Sequence, residues 1–308
     1  MNLEVESQGF RAGFVAVIGR PNVGKSTLIN ALLRQKVAAV SPRPQTTRRR
    51  QLGILTLPNA QVVLVDTPGL HIPQHQLGEA MNRAAVEALE DMDLILWMVD
   101  ASVRPTEEDR LVADRLKNLR ILPPVLLVLN KQDLIGAEGL SRRQQEYLDL
   151  LPSAAPLAIS AIQAGSLSTL LDAVVERMPE GLPFYDEDQI TDLYEREIAV
   201  DLIREAALIH LREEVPHAIA VRIEEYTERS ETNAYIMATI FVERDSHKAM
   251  VIGEGGAMLK KIGTTARKSI EEMSGRKIFL ELHVKVRKNW RNDPAALRQF
   301  GYSIEDDQ

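Results

Sequence analysis

The chain has 308 residues, more than one ordinary core accommodates, so two domains are expected. Hydrophobic residues make up 45% and charged residues 26%, which excludes a disordered chain, and no apolar run approaches the roughly 20 residues of a membrane span. Cysteine is absent, which excludes disulfides and thiolate sites, and the net charge of −7 argues against a polyanion partner only until its distribution is read.

Along the first part of the chain, apolar runs alternate with helical patterns. Phe14–Ile18, Val62–Val65, Leu94–Val99, Pro124–Leu129 and Leu157–Ile159 read as buried strands. Lys25–Arg34, Leu77–Asp91, Thr106–Lys117, Arg142–Leu150 and Ser166–Met178 read as helices. Such alternation implies a mostly parallel sheet with ligands at its carboxyl ends. The stretch 179–190, rich in proline and acid, reads as a linker between a domain at 11–178 and a second at 191–301. Residues 1–10 and the acidic 302–308 read as tails, and MNLEVESQGF, with two acids and no base, is unlike a signal peptide.

The second domain has another grammar. Asp192 with Glu195 resembles an N-cap pair, and Ile198, Leu202, Ala206 and Ile209 form a helical stripe that Pro216 ends. Two alternating strands follow, around Ile219–Ile223 and Ile236–Val242. A short helix capped by Ser246, a helix through Met258–Met273 and a strand over Ile278–Val286 come next. The order is α-β-β-α-α-β. Asp293-Pro294 opens a last helix. Gly181–Ser246 holds 6 basic and 16 acidic residues, and His247–Arg298 holds 12 and 5, so any polyanion face belongs to the later segment.

Gly19-Arg20-Pro21-Asn22-Val23-Gly24-Lys25-Ser26-Thr27 contains GxxxxGK(S/T) between a strand and a helix, the context of a phosphate loop. Lys25 is expected on the β- and γ-phosphates and Ser26 on Mg2+. Asp66-Thr67-Pro68-Gly69 ends another strand, where Asp66 can hold the Mg2+ shell and the Gly69 N–H can sense the γ-phosphate. Asn130-Lys131-Gln132-Asp133 ends a third, and Asp133 can accept two hydrogen bonds from guanine, a pattern adenine does not offer. Asn130 can bridge to the phosphate loop or to the base edge. Ser160 and Ala161 can offer N–H groups to the guanine oxygen. Four such elements in order, each at a strand end, specify a GTPase.

Between the first two lies Ser41–Arg50. A threonine there can close over Mg2+ with GTP. Spacing does not choose between Thr46 and Thr47; Thr47, directly before Arg48-Arg49-Arg50, is the expectation. Those arginines read equally as a solvated edge or an RNA contact. His71 and His75 read as a solvated switch segment, and Trp97 and Trp290 as packing residues.

Val251–Lys260 matches the KH pattern (V/I)IGxxGxx(I/L)K. Gly253, Gly255 and Gly256 let nucleic-acid backbone approach, and Lys260, Lys261 and Arg267 follow on the next helix. Glu254 stands where such loops usually carry a base, so affinity is expected to rest on the flanking cations.

The combination GRPNVGKST, QTTR, DTPG, NKQD and ISA resembles the Era family, as do REEVPHAIAV and NWRNDPAALRQFG, over about Arg11–Gly301. The resemblance implies an α/β P-loop GTPase domain with a mostly parallel sheet, plus a smaller α+β type II KH domain. It implies slow hydrolysis, because Leu70 replaces the usual water-positioning glutamine, with Lys25, Thr47 and Gly69 as catalytic groups. Mg2+ on Ser26, Thr47 and Asp66 is implied, with K+ on Asn22. The implied partners are GTP, GDP, small-subunit (16S) ribosomal RNA and the 30S precursor, for a cytoplasmic monomer with peripheral membrane contact at most. The competing reading is a signalling GTPase whose second domain docks a protein or membrane instead of RNA.

Overall fold

The computed structural model describes residues 9–302 except 42, 44 and 45. The expected tails before Gly9 and after Tyr302, and Pro42, Pro44 and Gln45 of the expected GTP-sensing loop, lie outside the described residues. The chain forms two compact units. Among the described residues, one gathers those up to Arg34, Arg50–His71 and Ala85–Asp192; the other gathers those of Gln35–Arg49, Ile72–Ala84 and from Leu193 onward.

The first unit contains β1 (Arg11–Ile18), α1 (Lys25–Leu33), β2 (Gln51–Leu57) and β3 (Ala60–Asp66). Helix α2 (Gln76–Glu87), which falls in the second unit up to Ala84, precedes β4 (Leu94–Asp100), α3 (Glu107–Lys117), β5 (Val125–Asn130), α4 (Ala137–Leu148), β6 (Ala155–Ala158) and α5 (Ala164–Arg177). The sheet order is β2-β3-β1-β4-β5-β6. Every pairing is parallel except β2 with β3. All residues of β4 and β5 are buried, so both faces of the sheet are covered, which is why these strands read as unbroken apolar runs. Trp97 and Tyr147 meet edge to face, with ring centroids 5.9 Å apart, among Val112, Leu116 and Leu127.

Three elements differ from expectation. Strand β2 follows the arginine run and was not anticipated; it is the antiparallel edge of the sheet. Helix α4 begins at Ala137, a turn before the expected Arg142. The expected linker is not a free tether. Gln61, fully buried, donates to the Tyr185 carbonyl (2.9 Å) and accepts the N–H groups of Phe184 (2.7 Å) and Tyr185 (3.0 Å). One buried amide thus holds this stretch against the first unit.

The second unit contains α6 (Glu195–His210), β7 (Ala220–Ser230), β8 (Asn233–Val242), α7 (Asp245–Ile252), α8 (Ala257–Ser274), β9 (Lys277–Val286) and α9 (Pro294–Gln299). The sheet order is β7-β8-β9, with β7 antiparallel and β9 parallel to β8. Helices α6 and α8 bury Ile198, Leu202, Ile262, Ala266 and Ile270 against Ile236, Ile240 and Ile278. The caps of α6 and α7 fall elsewhere than expected. Tyr194 precedes α6 and donates its N–H to Glu197 (3.2 Å), because Asp192 instead accepts the N–H of Leu52 (3.3 Å). Arg244, not Ser246, precedes α7, and α6 ends at His210, well before Pro216. Trp290 is fully buried and donates to the Ala218 carbonyl at 2.9 Å, in a cluster with Leu77, Met81, Phe241 and Phe300.

Trp97→Ala removes a fully buried indole and should destabilise the first unit by about 3–5 kcal/mol. Ile121→Ala, at an 80% exposed position, should stay within about 0.5 kcal/mol. Denaturant unfolding followed by circular dichroism checks both; equal costs would contradict the packing described.

Candidate nucleotide and RNA sites

Because β3, β1, β4, β5 and β6 lie side by side, their carboxyl ends place Asp66, the Gly19–Gly24 loop, Asp100, Asn130 and Ser160-Ala161 in one row. Asn130 joins two of the others. Its Nδ2 donates to the Val23 carbonyl at 2.8 Å, and its Oδ1 accepts the Ala161 N–H at 2.9 Å. Of the two expected roles for Asn130, the structure contains the bridge to the phosphate loop. The Ala161 N–H, expected on the guanine oxygen, donates to Asn130 Oδ1 in this structure. Gly24 must be glycine: its φ is +106°, and a Cβ would stand 2.4 Å from Asn130 Nδ2.

Lys25 opens α1 and is buried; its Nζ donates to the carbonyls of Gly19 (3.0 Å) and Arg20 (3.1 Å). Burial lowers its pKa to about 8, with Asp66 opposing the shift. Ser26 Oγ donates to Asp66 Oδ2 at 3.1 Å, so a hydroxyl and a carboxylate converge at the ends of α1 and β3. Thr67 is buried and tied through Oγ1 to the Val17 carbonyl (2.9 Å). Gly69 abuts Pro21, where a Cβ would meet the ring nitrogen at 2.8 Å. Leu70 packs in the core with Ile18 and Trp97. His71 Nδ1 lies 3.0 Å from the Gly69 carbonyl oxygen, and His75 Nδ1 accepts the Gly78 N–H at 3.1 Å.

Lys131 adopts φ +65° and places Nζ 2.5 Å from Asp100 and 3.2 Å from the Asn22 carbonyl. Burial raises the Asp100 pKa, but hydrogen bonds from Lys131 and Ser102 outweigh it and hold the group below the usual range. Asp133 is exposed on the 3-10 turn Gln132–Leu134, in position to meet a base from solvent. Two acids escaped sequence reasoning. Asp100 is a lone residue at a strand end. Asp109 is fully buried, pairs with Arg20 Nε at 3.1 Å and accepts the Thr106 N–H at 2.9 Å. The capping pair Thr106 and Asp109 was its available signal.

The expected GTP-sensing loop is anchored within the second unit. Arg48, 3% exposed, donates to the carbonyls of Ile219 (2.8 Å) and His217 (3.1 Å) and lies over the Trp290 ring. It is neither a solvated edge nor open to RNA. Arg204 donates to the Thr46 carbonyl and to Asp201 (3.0 Å), and Lys36 pairs with Glu205 (2.9 Å). Burial raises the Glu205 pKa, and Lys36 counters it. The Thr46 hydroxyl donates to the Arg43 carbonyl at 2.8 Å, so it is engaged within the loop; Thr47 is buried. Arg50 is exposed.

The glycine loop joins α7 to α8. Gly253 has φ +72°, and a Cβ would press on Met258 at 2.7 Å. Beside the loop, a cleft of about 390 Å³ runs between α8 and β9, lined by Gly256, Lys260, Thr264, Arg267, Leu280 and Leu282. Apolar walls with two cations suit bases and phosphates together. Of the residues expected on RNA, Gly256, Lys260 and Arg267 line the cleft. Gly253, Glu254, Gly255 and Lys261 do not; Glu254 and Lys261 are exposed beside it.

The 50S ribosome-binding GTPase family matches residues 14–131, and the KH domain family matches residues 214–291. GTPase Era of Heliobacterium modesticaldum is 43% identical over 292 residues, covering 95% of this chain and 97% of that protein. The chain belongs to the Era GTPase family. A crystal structure of Era in complex with MgGDPNP and nucleotides 1506–1542 of 16S ribosomal RNA superposes with a TM-score of 0.90, at 40% identity, over 96% of this chain and all of that one. An Era variant from Aquifex aeolicus bound to GDP and AlF4− also gives 0.90, at 39% identity, over 96% of this chain and all of that one. The Era-family fold is therefore a P-loop GTPase with a mostly parallel sheet and a KH domain, and its activity is GTP hydrolysis.

Polyphosphate favours the charged form of Lys25, so the bound pKa lies above the free value of about 8. Binding takes up a proton once pH passes that value. GDP affinity of this Era-family GTPase should be flat to about pH 7 and fall by up to about tenfold per unit above about pH 8. Calorimetry in two buffers of different ionisation enthalpy reads the proton uptake; none at about pH 8.5 would contradict the assignment.

Proposed function

We propose that the chain is a GTP-driven switch that binds small-subunit ribosomal RNA through its KH domain and acts in maturation of the 30S subunit. The observation that carries the reading is the cleft at Gly256, Lys260 and Arg267, in a family with a member solved on a 16S ribosomal RNA fragment. We assign the domains to 11–178 and 191–301.

In this reading Lys25, Thr47 and Gly69 serve hydrolysis, and the loop 19–27 with Asp66, Thr67 and Pro68 holds the phosphates. Asn130, Lys131, Asp133, Ser160 and Ala161 form the guanine side. Ser26 and Asp66 supply the hard oxygen donors that suit Mg2+, with Thr47 as third protein ligand. Mg2+ would neutralise charge on the phosphates. Asn22 is assigned to K+. Leu70 lies in the core where a water-positioning side chain would be needed, which supports slow unassisted turnover, about 10⁻⁴–10⁻² s⁻¹. Gly253, Glu254, Gly255, Gly256, Lys260, Lys261 and Arg267 form the RNA side, with Lys261 contributing charge from beside the cleft. We place the protein in the cytoplasm as a monomer, any membrane contact being peripheral. No helix among the described residues is long and apolar enough to cross a membrane.

Gly253→Asp puts bulk against Met258 and charge beside the cleft. It should abolish binding of an RNA corresponding to nucleotides 1506–1542 while leaving GTP affinity unchanged. Asp133→Asn should do the converse, weakening GTP in favour of xanthosine triphosphate, because its amide offers a donor where xanthine has an acceptor. Filter binding with each ligand checks the pair. RNA affinity unchanged in Gly253→Asp would favour the protein-docking reading, and GTP affinity unchanged in Asp133→Asn would remove Asp133 from the base.

A further inference from the structure

The KH cleft ends at Arg267 and Leu280, but the surface that follows is not bland. Strand β9 is the free edge of its sheet, so no further strand separates its two faces. Leu280 and Leu282 turn toward α8, and by alternation Phe279 turns to the opposite face, 65% exposed. Tyr235 is its register partner on β8, and the two rings stack with centroids 5.8 Å apart at 24°. The Arg229 guanidinium lies over Tyr235 at 4.9 Å from its centroid. Arg229, Lys277, Asn233 and Phe279 line a second hollow of about 450 Å³ at this end of the sheet.

The exposed Phe279 ring and its partner Tyr235 stand beside two cations, Arg229 and Lys277. The neighbouring carboxylates have partners: Glu228 pairs with Arg276 (3.4 Å), Glu281 accepts the Tyr235 hydroxyl (2.7 Å) and lies 3.0 Å from His283, and Glu225, which also acts on Tyr235, accepts the Thr227 hydroxyl (2.9 Å). The hollow thus presents an apolar ring face beside Lys277 and Arg229. That combination fits a stacked base with its phosphate. From Leu280 to Lys277 the edge strand advances about 10 Å, so a chain leaving the cleft meets the hollow next.

We propose that Phe279, backed by Tyr235, is a stacking platform for an unpaired nucleotide of the same RNA strand that occupies the cleft, with Lys277 and Arg229 on its phosphate. This rests on the RNA-binding reading above. It extends the binding site beyond the roughly four nucleotides that a KH cleft clamps.

The test uses the full chain and single-stranded pieces of the RNA corresponding to nucleotides 1506–1542. The shortest piece that wild type binds is compared with the same piece extended by about four nucleotides on the 5′ or the 3′ side. One extension should tighten binding, and Phe279→Ala should weaken that extended piece by about 5- to 100-fold while leaving the short piece unchanged. Phe279→Trp, which keeps a ring, should retain the gain, and Lys277→Ala should lower the log–log salt slope by about 0.7 for the extended piece alone. Phe279 is exposed, so these substitutions leave the fold intact. No gain from either extension, or a gain that survives in Phe279→Ala, overturns the platform while the cleft stands. Failure of wild type to bind any piece overturns the RNA reading itself, and the platform with it.

Discussion

The nucleotide site depends on one side chain. Asn130 ends β5, yet both of its amide atoms are committed to other loops: Nδ2 to the Val23 carbonyl of the phosphate loop and Oδ1 to the Ala161 N–H after β6. An amide carries donors and an acceptor on one rigid plane, so a single residue fixes two loops at once. The bonds are buried, so losing one would leave an unsatisfied polar group at a cost of about 1–3 kcal/mol. Around this pin the other contacts follow. Gly24 has no room for a Cβ, Lys131 reaches back to the Asn22 carbonyl, and Arg20 is held by Asp109. The parallel sheet brings the loops close, and the pin sets their register.

The second device is the segment Gln35–Arg49, which includes most of the loop Ser41–Arg50 expected to sense GTP. In this structure its arginine and lysine side chains are committed within the second unit. Arg48 is buried on the Ile219 and His217 carbonyls, and Lys36 is paired with Glu205. Burial works against the charge on Arg48, and the neighbouring arginines Arg204 and Arg291 add to that effect, while Tyr302 counters it. A guanidinium in such a place persists only because carbonyl oxygens and an aromatic face replace its water. Any rearrangement of this loop on nucleotide binding must break or keep those bonds.

Much of this was legible in the sequence. Strands β1, β3, β4 and β5 are buried on both faces and leave continuous apolar runs, and the motifs at their ends fix where ligands belong. Strand β9 alternates strictly, and the glycines of Val251–Gly256 mark a helix–helix turn. What was hidden needed partners far away in the chain. Strand β2 contains Gln51, Gly53 and Thr56 and pairs only along one edge. The burial of Arg48 depends on carbonyls at 217 and 219, so three consecutive arginines could not reveal which one turns inward. Asp192 looked like a cap because its bond to the Leu52 N–H has no local trace. Asn130 allowed two roles, and the bridge to the phosphate loop became visible only in its hydrogen bond to the Val23 carbonyl. Phe279 read as one more strand position until its exposure and its ring partner were visible.

The proposed switch requires nucleotide state to govern RNA affinity, and the loop that Arg48 holds is the element we propose to carry that dependence. The most direct measurement is the affinity of the full chain for the RNA corresponding to nucleotides 1506–1542, with GDP and with a non-hydrolysable GTP analogue, in wild type and in Arg48→Ala. Binding should be about 5- to 150-fold tighter with the analogue in wild type, with a ratio near one in Arg48→Ala. Equal affinities in the two nucleotide states of the wild-type protein would contradict it, leaving the KH domain tethered to a GTPase that does not switch it.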